Sequence, residues 1–90
     1  MLYMVIETFR DGAKDAVYQR FRERGRMLPE GLEYLESWVD LEGGRCFQLM
    51  RTQRPQLFGI WTREWDDLVR FQVVPVVSAG EAAEALAGGG

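Results

Sequence analysis

Apolar residues recur along this chain with two different periods, and each change of period marks an element. Residues 2 to 9, Leu-Tyr-Met-Val-Ile-Glu-Thr-Phe, are apolar, β-branched and aromatic, and Asp11-Gly12 closes them as a turn pair, which predicts a strand. From Lys14 the spacing turns helical, with Val17, Phe21 and Leu28 on one stripe and Gln19, Glu23 and Arg26 off it. Leu28 precedes a proline, a position disfavoured in a helix, so the helix is expected to stop there. Pro29-Glu30-Gly31 suits a tight turn with proline at its second place and glycine at its fourth.

Residues 33 to 40 and 45 to 51 read as two strands of a hairpin joined through Glu42-Gly43-Gly44. Pro55 suits a first helical turn, and Leu57, Phe58, Trp61, Trp65 and Leu68 follow at helical intervals. Gly59 costs about 1 kcal/mol in a helix relative to alanine, and a close approach of helix to sheet would account for it. Residues 69 to 77 form a last strand, which Pro75 assigns to a sheet edge because proline cannot donate to a ladder. Ser78 and Glu81 form a capping box for a short terminal helix, and Gly88-Gly89-Gly90 is expected to be disordered. The order strand, helix, strand, strand, helix, strand predicts a ferredoxin-like α+β domain over residues 1–77. It has a four-stranded antiparallel sheet with two helices on one face, and residues 78–90 form a helix and glycine-rich tail.

Alternation divides the strand residues into two sets. Leu2, Met4, Ile6, Leu35, Val39, Phe47, Leu49, Phe71 and Val73 are almost wholly apolar (Ser37 excepted) and are expected under the helices. The opposite set contains Tyr3, Val5, Glu7, Phe9, Tyr34, Glu36, Trp38, Cys46, Gln48, Met50, Gln72, Val74 and Val76. It is too apolar and aromatic to face water as a broad patch, so a second copy of the chain is expected to cover it and close a dimeric α/β barrel. Size supports this: a compact monomer of 10.4 kDa exposes about 5,400 Å². A standard interface hides about 800 Å² of each partner, a large fraction of so small a surface.

Composition removes chemistry more than it suggests any. The chain has 90 residues, a net charge of −3, one cysteine, no histidine and no asparagine. Ser-His-Asp and Cys-His catalysis, histidine-held zinc or haem, internal disulfides and N-glycosylation are therefore excluded. The acidic balance opposes nucleic acid, and residues 45 to 50 lack the basic, glycine- and aromatic-rich strand that an RNA-binding version of the fold needs. No apolar run is long enough for a membrane span and Met1 to Ile6 lacks the features of a signal peptide, so a cytoplasmic location is expected. Nothing in the residue pattern asks for a cofactor or metal.

The ligand-binding candidates are Glu7, Tyr34, Glu36, Trp38, Gln48 and Gln72, which share one predicted face. If the third strand lies between the first and second, Glu7 and Glu36 flank Gln48, and two shielded carboxylates can act as a proton-transfer pair. The favoured plainer reading places them at the barrel rim, or accepting hydrogen bonds at the subunit contact. Trp38, Trp61, Trp65, Tyr18 and Tyr34 can wall an aromatic pocket. Trp61 and Trp65, one helical turn apart, are better read as core, which leaves Trp38 as the better pocket residue. Arg20, Arg22, Arg24 and Arg26 offer an anion-binding edge or, as the favoured reading, a solvated face balanced by Glu23 and Glu30. Cys46, with no histidine to activate it, reads as a buried inert thiol.

The stretches Tyr3-Met4-Val5-Ile6-Glu7, Arg22-Glu23-Arg24-Gly25-Arg26-Met27-Leu28-Pro29-Glu30-Gly31, Arg45-Cys46-Phe47-Gln48-Leu49-Met50 and Val73-Val74-Pro75-Val76-Val77 resemble a bacterial family described only as domain of unknown function 3303. The similarity spans roughly residues 1 to 84; Gln53-Arg54 before Pro55 departs from the acidic residues that suit a helix start. That family in turn resembles the dimeric α/β-barrel group, which holds cofactor-free monooxygenases, haem-degrading enzymes, lactone isomerases and proteins with no known reaction. Many of those enzymes place the pocket between sheet and helices instead of in the dimer seam. The leading functional expectation is a homodimer that binds or senses a small apolar or aromatic molecule. The alternatives are a cofactor-free monooxygenase or isomerase working by carboxylate proton transfer, and a structural dimerisation module.

Overall fold

The structure, a computed structural model, describes residues 1–89 and has the expected element order. The elements are β1 (Leu2–Phe9), α1 (Lys14–Arg24), β2 (Glu33–Val39), β3 (Arg45–Arg51), α2 (Leu57–Thr62), β4 (Val69–Val76) and α3 (Ala79–Gly89). The strands form one antiparallel sheet in the order β2-β3-β1-β4. The third strand thus lies between the first and second, and proline-bearing β4 is an edge, as its missing N–H requires. Ser78 Oγ accepts the Glu81 N–H at 3.0 Å, which caps α3 as the Ser-x-x-Glu spacing predicts. The helix runs on through Gly89, so Gly88 and Gly89 are not the disordered tail expected of them; Gly90 lies outside the described residues.

Both helices are shorter than their apolar stripes predict. α1 ends at Arg24 because Gly25 takes φ +66° and its N–H returns to the Phe21 carbonyl, a left-handed stop that needs no side chain. α2 covers six residues, and successive turns carry the chain from Thr62 to Leu68. The proline turn is displaced by one residue: Leu32 N–H bonds to the Pro29 carbonyl at 3.2 Å, and Gly31, with φ +96°, fills the third place. Gly59 has open space where a Cβ would lie, so close packing does not explain it.

α1 and α2 cover one face of the sheet. Their Val17, Leu57, Phe58 and Trp61 meet Tyr3, Val5, Met50 and Val69 of the strands in a single core. Tyr3 meets Phe58 edge-on at 5.0 Å between ring centres, and Trp61 lies 5.4 Å from Phe71. On the two central strands the expected faces are therefore exchanged. Tyr3, Val5, Glu7, Gln48 and Met50 are buried under the helices, while Leu2, Met4, Ile6, Phe47 and Leu49 are on the open side.

The edge strands follow the expectation more closely. Phe71 and Val73 pack against the core, and Gln72, Val74 and Val76 pair with the open-side residues of β1. On β2, Glu36 opposes Leu49 and Trp38 opposes Phe47, which places both on the open face. Tyr34 opposes Met50 and belongs to the covered face, because a register shift between Tyr34 and Glu36 inserts one residue and reverses the alternation.

Candidate functional site

A cavity of about 230 Å³ lies between the sheet and α1. Its floor comes from β1 and β3: Glu7 faces its cross-strand neighbour Cys46, and Gln48 is one diagonal step away. Trp61 and Trp65 form the wall on the α2 side, while Val17, Tyr18 and Phe21 of α1 form the other. Ser37 and Val39 of β2, Phe9 of β1 and the turn residue Arg26 complete the lining. Phe21 and Tyr18 are part-exposed, so aromatic rings edge the opening.

The floor is polar, and the walls are apolar apart from Ser37 and Arg26. Glu7 and Gln48 are 8 % and 6 % exposed, and the Gln48 amide Nε2 donates to Glu7 Oε2. Burial raises the Glu7 carboxyl from 4.5 to about 7, against the opposing pull of the Gln48 hydrogen bond and the Arg26 charge. Gln48 Oε1 is fully buried with no hydrogen-bond partner, a costly arrangement for an amide oxygen. Burial first, and the Glu7 charge second, push the Cys46 thiol up to about 11, which keeps it protonated and agrees with its reading as an inert thiol.

Arg26 is held from several sides. Its carbonyl accepts the indole N–H of Trp61 at 2.9 Å and that of Trp65 at 3.1 Å. Its guanidinium carbon lies 3.6 Å from the centre of the Tyr34 ring and 5.1 Å from that of Phe21. Tyr34 is itself tied to Ser37 by a hydroxyl–hydroxyl hydrogen bond of 2.6 Å. The rest of the arginine cluster behaves as a solvated face: Arg20 forms a two-point pair with Asp67 at 2.8 Å, and Arg22 and Arg24 are exposed.

The six residues expected to share a ligand surface are divided between the two faces. Glu7 and Gln48 form the cavity floor and Tyr34 supports Arg26, whereas Glu36, Trp38 and Gln72 are on the open face. The Glu7–Glu36 carboxylate pair is therefore not assembled. Trp38, 51 % exposed, gives way as pocket wall to Trp61 and Trp65, which are core residues as expected and line the cavity as well. Phe21, Phe9 and Ser37 had no sequence signal beyond strand or helix parity. Arg26 did carry one, since it falls between Gly25 and the pre-turn Met27-Leu28-Pro29.

Among the described residues no group of three or more Cys, Asp or Glu side chains is placed to hold a metal ion, and no helix is long and apolar enough to cross a membrane. No curated protein and no solved structure matches the chain. The chain belongs to the family described as domain of unknown function (DUF3303), whose model matches residues 1–90.

Proposed function

We propose that this domain binds a small apolar or aromatic molecule in the cavity between sheet and helices, and that it does so as a ferredoxin-like homodimer joined through the open sheet faces. The observation that carries the binding reading is the buried Gln48 Oε1, unpartnered at the floor of an aromatic-walled cavity. A bound molecule with a hydrogen-bond donor would satisfy it and would fill space of the size that holds a single aromatic ring; cavities of about 150 Å³ take up benzene. Ligand-observed NMR with para-cresol and indole tests the reading. Both should bind the parent protein, and Val39→Trp, on the edge strand at the cavity side, should block them. Failure of both compounds to bind the parent would overturn it.

Two features support this reading, one for the ferredoxin-like topology and one for the pairing of open faces. β1 and β2 flank β3, and β3 and β4 flank β1, the arrangement a split pair of crossovers produces. The open face carries Leu2, Met4, Ile6, Phe47, Leu49, Val74 and Val76, and the single chain exposes 6176 Å². That exceeds the area of a compact chain of this mass by about 800 Å², an excess to which the exposed α3 and the open face both contribute. Sedimentation velocity should give a dimer; a monomer at high concentration would remove this part of the proposal.

Glu7 favours a second reading, cofactor-free proton transfer. A carboxyl raised to about 7 exchanges its proton near neutral pH and sits where a bound molecule would contact it. One carboxylate, not a pair, would do this work. Glu7→Gln should then abolish turnover of an identified substrate while leaving its binding intact, and retained turnover would exclude the mechanism.

A further inference from the structure

The turn that follows α1 holds one cation at the cavity in a way that none of the other arginines shares. Gly25 and Met27 both adopt left-handed backbone, φ +66° and +60°, and Arg26 stands between them. For methionine this conformation is strained, and such strain persists only where the surroundings enforce it. Here the enforcing contacts are the two indole N–H groups bonded to the Arg26 carbonyl. The guanidinium is then stacked face-on over Tyr34 with Phe21 beside it.

Stacking occupies the faces of a guanidinium and leaves its in-plane N–H edge available. Among the described residues Arg26 takes part in no ion pair, and none of its side-chain N–H groups has a protein acceptor, whereas Arg20, Arg45 and Arg51 are each paired with a carboxylate. Arg22, Arg24, Arg63 and Arg70 also lack acid partners, but they are exposed and water satisfies them. Arg26 is half-buried and lines the cavity. A planar fork with unused donors at the edge of an aromatic chamber is suited to a carboxylate, which it grips at two points. With no second cation in the lining, the charge matches a monoanion better than a phosphate dianion.

The Glu7–Gln48 floor of the cavity asks for the reverse chemistry. Gln48 Oε1 needs a hydrogen-bond donor, and a second carboxylate beside Glu7 would be repelled as Glu7 ionises. The walls beside these groups are Trp61, Trp65, Tyr18 and Val17. We infer that the cavity takes a small aromatic carboxylate bearing a hydroxyl or N–H group, with its carboxylate on Arg26 and its donor on Gln48 Oε1. This rests on the reading of the cavity as a ligand site and sharpens it to a charge and an orientation.

The test compares three single-ring probes at pH 6, where Glu7 is largely protonated. They are para-hydroxyphenylacetate, with both groups; para-cresol, with only the hydroxyl; and phenylacetate, with only the carboxylate. Binding is read from Trp61 and Trp65 fluorescence in a Trp38→Phe background, which removes the indole on the far face. Para-hydroxyphenylacetate should bind about tenfold or more tightly than either of the others, in line with one charge-assisted and one buried neutral hydrogen bond. Arg26→Gln should remove the advantage over para-cresol and leave para-cresol affinity unchanged; Gln48→Leu should remove the advantage over phenylacetate. Both indole contacts use the Arg26 backbone, so the turn survives the Arg26 substitution, and Arg26→Lys, which keeps charge without the fork, should recover only part of the preference. If para-cresol binds the parent as tightly as the acid, the carboxylate assignment is wrong and the aromatic pocket stands. If none of the three binds, the ligand-site reading falls and this inference with it.

Discussion

The two faces of one sheet make opposite use of apolar residues. Along the central strands the open face has Leu2, Met4, Ile6, Phe47 and Leu49, with its polar residues, Thr8, Arg45 and Arg51, exposed toward the strand ends. The covered face, which forms the core, contains the chain's buried carboxyl–amide pair, Glu7 and Gln48, next to Tyr3, Val5 and Met50. Hydrophobicity alone would put the helices on the wrong side. The difference lies in where the polar residues stand: at exposed strand ends on the open face, and buried in mid-strand on the covered one. Buried polar groups within a core are costly unless paired, so Glu7 and Gln48 set the covered face apart.

The sharpest way to break the comparison is to remove what only the covered face has. Trp61, 2 % exposed, ties α2 to the sheet and to the Arg26 carbonyl. Trp61→Ala should cost about 3–5 kcal/mol in urea unfolding, and a loss below 1 kcal/mol would show that the covered face is not the core.

A charge test follows. With its folded value near 7 and its unfolded value near 4.5, Glu7 binds its proton more tightly in the native state. Its contribution is therefore fully present below pH 4.5 and is lost as pH rises through 7, by about 3 kcal/mol. Asp40 and Asp67, held below the usual carboxylate range by hydrogen bonds, act in the opposite sense and at lower pH. Stability curves of the parent and Glu7→Gln across pH 4 to 8 should differ by this slope; parallel curves would place Glu7 in water.

The open face is challenged next. In the proposed homodimer Phe47→Glu should weaken association by about a hundredfold, roughly 2.7 kcal/mol, in sedimentation equilibrium, and leave probe binding in the cavity unchanged. Loss of binding together with the dimer would mean that the two faces are not independent. The smallest effect is expected at Gly59, where helical backbone and open space meet. Gly59→Ala should stabilise the domain by about 0.5–1 kcal/mol in thermal unfolding, and destabilisation would point to a contact on that side.

Much of the fold was legible because local chemistry specifies local structure. The first and third strands have the bounds their composition predicts, the glycine-rich turn closes the hairpin, and Pro75 marks an edge. The edge strands also disclosed their faces, because polar residues such as Glu36 and Gln72 interrupt one side of each. In the middle of the central strands the only polar markers were Glu7 and Gln48. They point inward, so the usual inference from polarity to exposure reversed the assignment of both strands at once. Tyr34 was misplaced for a different reason: one inserted residue on β2 is visible only against the register of its partner.

Local residue chemistry was enough for the order of the elements, most of their limits, the division of β1, β3 and β4 into two sets and the absence of histidine chemistry. These follow from backbone preferences and residue types, which act within a few positions along the chain. The tertiary structure alone decided which set the helices cover, where the β2 alternation reverses, and that Arg26 leaves its helix to stack on Tyr34 beside Glu7 and Gln48. Alternation fixes two sets without a sign, and the sign is set only when helices, sheet and turn compete for the same buried area.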